Sequence, residues 1–325
     1  MTTVSDGLYQ FGGMPVGTNL LTNKIFSTPT GTSEAKGRAW FVDPGYGGNG
    51  DGTSPKQAFS TMAQAFSALN SGDIVYFVGK ITEQLVTPIQ KFDVTVVGCG
   101  NRPRHADATP AGGNWAAATW AAPATPVAST PLVKVLQQGW TFANILFAGS
   151  AGCPSINLVR NAAAGDDERD ASHATIVGCR FAGVASTDTA IKFGATSFTE
   201  IVNNVLITDN DFQGCATGLG EQSAGLQFRL QLRGNRFQSN TNHVTLGGYN
   251  AMITDNLFGL WTTTSVNLTG GTGSNMVTAN YLSGDYSTAS NHYVAGTNDE
   301  WGGNWSSDEA ETEVTNAITV AVPAA

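Results

Sequence analysis

Charge is scarce in this chain of 325 residues, with Asp, Glu, Lys and Arg making up only 13% of it. Sixteen basic against 25 acidic residues leave a formal charge of −9, and no stretch gathers Lys and Arg into a patch, so nucleic acid is not an expected partner. Cysteine is scarce too. Cys99, Cys153, Cys179 and Cys215 show no C-x-x-C spacing, which argues against a zinc or dithiol motif and for small buried residues in a reduced protein. His105, His173, His243 and His292 are scattered and fit no motif. Nowhere do 18 apolar residues follow one another, so no membrane insertion is expected. Met1–Thr30 lacks a basic cluster followed by an apolar run; no secretory signal is expected, and synthesis in a cytoplasm is.

What the chain does have is 39 Gly amid abundant Thr, Ser and Asn, the small polar residues of a β-rich surface, together with a recurring phrase. An apolar strand, an Asn turn and a Phe two residues later occur in Ala174–Phe181 (ATIVGCRF, with Cys179 at the Asn place), Val205–Phe212 (VLITDNDF), Leu230–Phe237 (LQLRGNRF) and Ala251–Phe258 (AMITDNLF). Asn275–Leu282 (NMVTANYL) follows with Leu for Phe. Subtracting 181, 212, 237, 258 and 282 gives intervals of 31, 25, 21 and 24, the period of a supersecondary unit that stacks on its predecessor. Alternation such as Val205, Ile207 implies strands with one face buried. Asn210, Asn235, Asn256 and Asn280 are expected to take the bend after each strand, where Asn tolerates the left-handed conformation, and to stack on one another. Phe181, Phe212, Phe237 and Phe258 are expected to form an inward aromatic column. An antiparallel sandwich has no reason to repeat this pattern at such intervals; an all-β parallel β-helix needs it in every coil.

Ahead of the repeats stand a strand, Arg38–Asp43, a Gly-rich loop, Pro44–Pro55, an amphipathic stretch and a second strand, Ser71–Gly79. Phe59, Met62, Ala63, Phe66 and Leu69 fall on one helical face, with Ser54 and Gln57 or Ser60 placed to cap it, so a short helix near 55–69 is expected to close the open end of the solenoid. Arg38–Gly79 resembles the opening of the pectate-lyase-like superfamily of right-handed single-stranded parallel β-helices, in which strand, loop, capping helix and "GD-apolar-apolar" first rung come in this order. The resemblance implies that fold. It spans lyases, glycosidases, phage tailspikes and non-enzymatic virion proteins, so it implies several functions.

Catalytic signals are weak by comparison. Gly45, Gly47 and Gly50 match G-x-G-x-x-G without the βαβ unit that a dinucleotide needs. Asp43, Asn49 and Asp51 read as turn residues, with Ca²⁺ as the other reading. Asp166, Asp167, Glu168 and Asp170 sit together in one loop, read as solvated. Lyases of the resembled fold use rung-borne acids for Ca²⁺ and a basic residue as proton acceptor; Asp209, Asp211 and Asp255 with Arg229, Arg233 and Arg236 are the counterparts here, and Asp209 and Asp255 recur at one turn position, which favours a structural role. No catalytic residue, metal or cofactor is therefore assigned.

Three segments are expected: an extended arm over 1–37, the β-helix with its cap over 38–297, and a C-terminal capping or oligomerisation segment over 298–325 that includes the alternating Ala317–Val322. Leu8, Tyr9, Phe11, Leu20, Leu21 and Phe26 make the arm too apolar for a free tail, so it is expected to anchor on a partner. Trp115, Trp120, Trp301 and Trp305 offer either a glycan-stacking lip or subunit contact, with subunit contact preferred. These readings converge on a non-enzymatic bacteriophage virion β-helix, a capsid decoration or head fibre. It would be a homotrimer held to capsid or tail proteins by its arm. A tailspike-type depolymerase, or a glycan-binding module on the host surface, is the alternative.

Overall fold

The structure is a computed structural model that describes residues 8–11, 14–17, 37–48, 50–100, 118–150, 152–161, 169–182, 189–196, 200–269, 273–282 and 293–306. Strands of two to seven residues are too short to bury an apolar face alone, and they solve this by winding. Leu206–Thr208, Asp211–Gln213 and Thr217–Glu221 make up one turn of the coil, and Gln231–Arg233 begins the next directly beneath Leu206–Thr208. Repetition yields three parallel sheets of ten, nine and eight strands. The first runs from Ala39–Val42 to Glu300–Gly302, the second from Lys80–Ile81 to Trp305–Ser306, and the third from Leu85–Val86 to Tyr293–Val294. The chain is a parallel β-helix, as the repeat requires.

Register is fixed by what points inward. In the second sheet Phe147, Phe181, Phe212, Phe237 and Phe258 pair in succession, each fully buried. Their ring centroids lie 5.1, 4.8, 4.5 and 5.1 Å apart, and the first three pairs are within 9° of parallel, so the column is a continuous stack along the tube. Slipping one strand by a residue would place Asp211 or Arg236 in that column, which is why the register is strongly specified. Trp120 extends the stack above Phe147 with centroids 6.0 Å apart, and its indole N–H donates to the carbonyl of Glu83. Trp120 has no exposed surface, so the expectation that it contacts glycan or a subunit is wrong: it is a core residue. Thr141–Ala148, with Phe142 and Phe147 buried, is a further copy of the phrase that the sequence conceals by carrying Ile145 at the Asn place.

The Asn residues stack as expected but do not make the bend. The positive φ falls one residue earlier, on Asp209 (56°), Gly234 (64°), Asp255 (56°), Ala279 (55°) and Gly303 (61°). That left-handed residue turns the chain from the first sheet to the second, and the Asn that follows points its amide into the corner. Both Asn210 N–H and Asn210 Nδ2 donate to Asn235 Oδ1 at 3.0 Å, Asn235 does the same to Asn256, Asn256 to Asn280, and Asn280 to Asn304 at 2.9 Å. Each Nδ2 also donates to a carbonyl one coil back, such as Leu232 O from Asn256. Cys179 stands at the head, its backbone N–H donating to Asn210 Oδ1, and burial pushes its thiol up to about 12. All four cysteines are buried thiols outside any disulfide.

The N-terminal end is closed by a 3-10 turn, Pro55–Gln57, and a helix, Met62–Ala68. The capping box is Thr61 with Gln64, rather than Ser54, whose side chain makes no capping bond. Met62, Ala65, Phe66 and Leu69 are buried while Ala63 is exposed, so the apolar face keeps Met62, Phe66 and Leu69 of the expected one and takes Ala65 in place of Ala63. Phe66 meets Trp120 and Trp140 edge-on at 6.2 and 5.4 Å, which seals the tube. The Glu83 carboxylate accepts from the N–H groups of Met62 and Ala63, satisfying donors that the first helical turn leaves open. At the other end the rungs run on through Glu300–Gly302 and Trp305–Ser306, past the boundary expected at 297. In the arm, Leu8–Phe11 and Met14–Gly17 pair antiparallel as a hairpin, so part of it folds back on itself; Leu20, Leu21 and Phe26 lie outside the described residues.

Candidate functional site

Most of the acids and bases singled out in the rungs belong to the architecture. Asp209 and Asp255 occupy left-handed corners, and Arg229 (φ 56°) and His173 (φ 62°) occupy corresponding corners ahead of the first sheet. Asp170 accepts from the N–H and hydroxyl of Ser172 and pairs with Arg160 at 3.5 Å across the antiparallel ladder of Arg160–Asn161 with Arg169–Asp170; Asp166, Asp167 and Glu168 lie outside the described residues. Asp43 and Asp51 close local turns onto Gly45 and Thr53, and Asn49 lies outside the described residues.

Three buried ionisable groups received no role from the sequence, although Asp73 is the Asp of the "GD-apolar-apolar" phrase and His243 is one of the four scattered histidines. Asp73, 1% exposed, takes the N–H groups of Arg38 and Asn70 and the indole of Trp40. Burial pushes the Glu221 carboxyl up to about 6, against the pull of backbone N–H groups from Gly247, Gly225 and Leu226, which tie its own turn to the next coil. Burial pushes His243 down to about 4. Its neutral ring accepts at Nδ1 from Asn240 Nδ2 and donates from Nε2 to the carbonyl of Gly259, each at 3.0 Å, a tautomer that satisfies both nitrogens. Among the described residues no three His, Cys, Asp or Glu gather in a metal-binding group.

The outward face of the second sheet is different in kind. Register places Arg180, Asp211, Arg236, Leu257, Tyr281 and Trp305 in one column, one per rung. In its upper half the column is polar: Arg180 donates through Nη2 to Gln213, and Arg236 through Nη2 to Gln238, on the neighbouring outward positions. In its lower half it is apolar and open, with Leu257 38%, Tyr281 45% and Trp305 52% exposed. Met252 and Met276, paired on the first sheet across the corner, are each 40% exposed. Trp301 and Trp305 therefore part company. Trp301 pairs with Val277 on the inward side of the last described rung and packs partly buried on the core, so it is no glycan contact; Trp305 faces water, with amide and guanidinium groups on the column above it that the sequence did not disclose. Trp115 lies outside the described residues.

No family model matches the chain, and no characterised protein matches it in sequence. Solved structures similar to it include a GH136 lacto-N-biosidase from Eubacterium ramulus, 9% identical with a TM-score of 0.48, covering 82% of this chain and 59% of that one. The PL6 family alginate lyase AlyGC is 9% identical with a TM-score of 0.34, covering 85% and 42%. The Dettilon tailspike protein is 12% identical with a TM-score of 0.24, covering 82% and 68%. The chain thus spans about 59% of the length of the lacto-N-biosidase it matches.

Proposed function

We propose that this chain is a structural component of a bacteriophage particle, a capsid decoration or head-fibre β-helix attached through its N-terminal arm. The observation that carries the reading is the use made of buried polar side chains: Asp73, Glu221, His243, Asp299 and the Asn210–Asn304 ladder all tie coil to coil or satisfy backbone amides. Electrostatics of this kind serve stiffness, because each of these buried groups is held by partners it could not keep if a coil moved. A rod so built, with an apolar arm at one end and an exposed apolar column near the other, suits a part that must keep its shape and meet surfaces.

The test is to image purified particles by electron cryo-microscopy with the intact chain and with residues 1–37 deleted. Solenoid density on the particle that disappears in the deletion, while the purified deletion variant still unfolds cooperatively, is the expected result. New reducing or unsaturated ends released by the purified protein from host capsule or lipopolysaccharide would replace the reading with a tailspike-type depolymerase.

A further inference from the structure

Most large apolar side chains left exposed among the described residues lie between Met252 and Trp305, and three of them form the lower half of one straight column. We propose that Leu257, Tyr281 and Trp305 are the contact surface for a second copy of this chain, running antiparallel about a two-fold axis that passes between the Leu257 and Tyr281 rungs. The inference does not depend on where the protein serves.

Two observations select this partner and this direction. The first is pitch. Side chains in the column repeat at the strand spacing of about 4.8 Å, and a second copy offers a row of identical pitch, so the two rows interleave without drifting out of step. The second is charge. Going up the column, Leu257 is followed by the exposed Arg236 and then by Asp211. Copies lying parallel, as in a side-by-side trimer, would set Arg236 against Arg236. With the axis between Leu257 and Tyr281, Leu257 meets Tyr281 of the second copy and Arg236 meets the indole face of its Trp305, a cation–π arrangement. Asp211, itself 4% exposed, and Arg180 then lie beyond the second copy's last described rung. The overlap covers four rungs, about 14 Å, which is small for a permanent interface and predicts a weak, isologous dimer.

Sedimentation velocity over a roughly hundredfold concentration range tests the association, and engineered cysteines test its direction. The native cysteines are all buried, so surface thiols introduced by Leu257→Cys and Tyr281→Cys report alone. The expected result is a concentration-dependent dimer, weakened about tenfold or more by Tyr281→Glu. Oxidation should cross-link a mixture of the two cysteine variants but neither variant by itself. A monomer throughout the range overturns the proposal, as does a trimer. Cross-links within Leu257→Cys alone would mean parallel copies, and a monomer whose Trp305 fluorescence is quenched by oligosaccharide would mean a sugar occupies the column.

Discussion

Replacing Asn256 by Asp changes one NH₂ into one oxygen at a position 1% exposed, and the structure says what that costs. Asn256 Oδ1 still accepts from the backbone and side chain of Asn235. What disappears is the donor: Nδ2 lies 2.9 Å from Leu232 O, 2.9 Å from Thr254 O and 3.0 Å from Asn280 Oδ1, all acceptors that a carboxylate oxygen can only repel. At about 1–3 kcal/mol for each of two lost donor hydrogens, the variant should be destabilised by about 2–6 kcal/mol near neutral pH. The deficit also has a sign in pH. A carboxyl forced into this site has a folded pKa above its unfolded value of about 3.9, so the folded state holds its proton more tightly. Stability is then lost as pH rises from about 4 through the folded pKa, and the deficit relative to wild type shrinks in acid. Urea unfolding followed by fluorescence of the buried Trp120 and Trp140, at about pH 4.5 and about pH 7.5, measures both. Asp255→Asn makes the reverse exchange one residue away, at an exposed left-handed corner that Asn also tolerates, and should change stability by less than about 0.5 kcal/mol. Equal midpoints for Asn256→Asp and wild type at about pH 7.5, or a deficit that grows in acid, would refute the assignment of Nδ2 as the ladder's donor.

Ala279→Gly should stabilise the protein by about 1 kcal/mol, because Ala279 is exposed at φ 55° where Gly178, Gly234 and Gly303 hold the same corner in other coils; thermal midpoints check it. Phe212→Ala removes a ring stacked 4.8 and 4.5 Å from its neighbours and should cost about 3–5 kcal/mol in chemical denaturation, whereas Trp305→Ala should cost little in a monomeric sample. His243 is neutral in the fold and depressed to about 4, so the unfolded chain takes up its proton first, and stability falls as pH drops from 6.5 toward 4. The shift of 6.5 − 4 corresponds to about 3 kcal/mol, and a His243→Gln variant should lack that part of the slope in denaturation midpoints measured across the window.

The fold could be read from the sequence wherever the ladder residue and the stacked ring are both of their usual type, and was hidden wherever one was not. Thr141–Ala148 went unseen because Asn144, the residue that looks like the turn Asn, is the left-handed residue, and the ladder place belongs to Ile145. Asp299–Ser306 reads as part of a capping or oligomerisation segment because Trp301 stands at the inward apolar position and Ser306 at the aromatic one, although Asn304 accepts the last described ladder bonds. The bend lies one residue before the expected place for a physical reason: in Asp209–Asn210 and Asp255–Asn256 both members suit the left-handed region, and only Gly178, Gly234 and Gly303 give the place away. The corners before the first sheet left only a broken compositional trace: Asn204, Asn250 and Asn298 suit the left-handed conformation, but His173, Arg229 and Ser274 take the same dihedral angle with no side-chain chemistry in common. The exposed column was invisible for the opposite reason. Leu257–Phe258 and Tyr281–Leu282 are pairs of adjacent apolar residues, so alternation cannot say which member faces water; only the register against Arg236 and Phe237 decides it. That same register turns an unremarkable Leu, Tyr and Trp, spread over 49 positions of sequence (305 − 257 + 1), into neighbours on consecutive rungs. In a solenoid the contact surface is thus written down the coils, one residue per turn, and a change from charged to apolar along a column is the signal to seek.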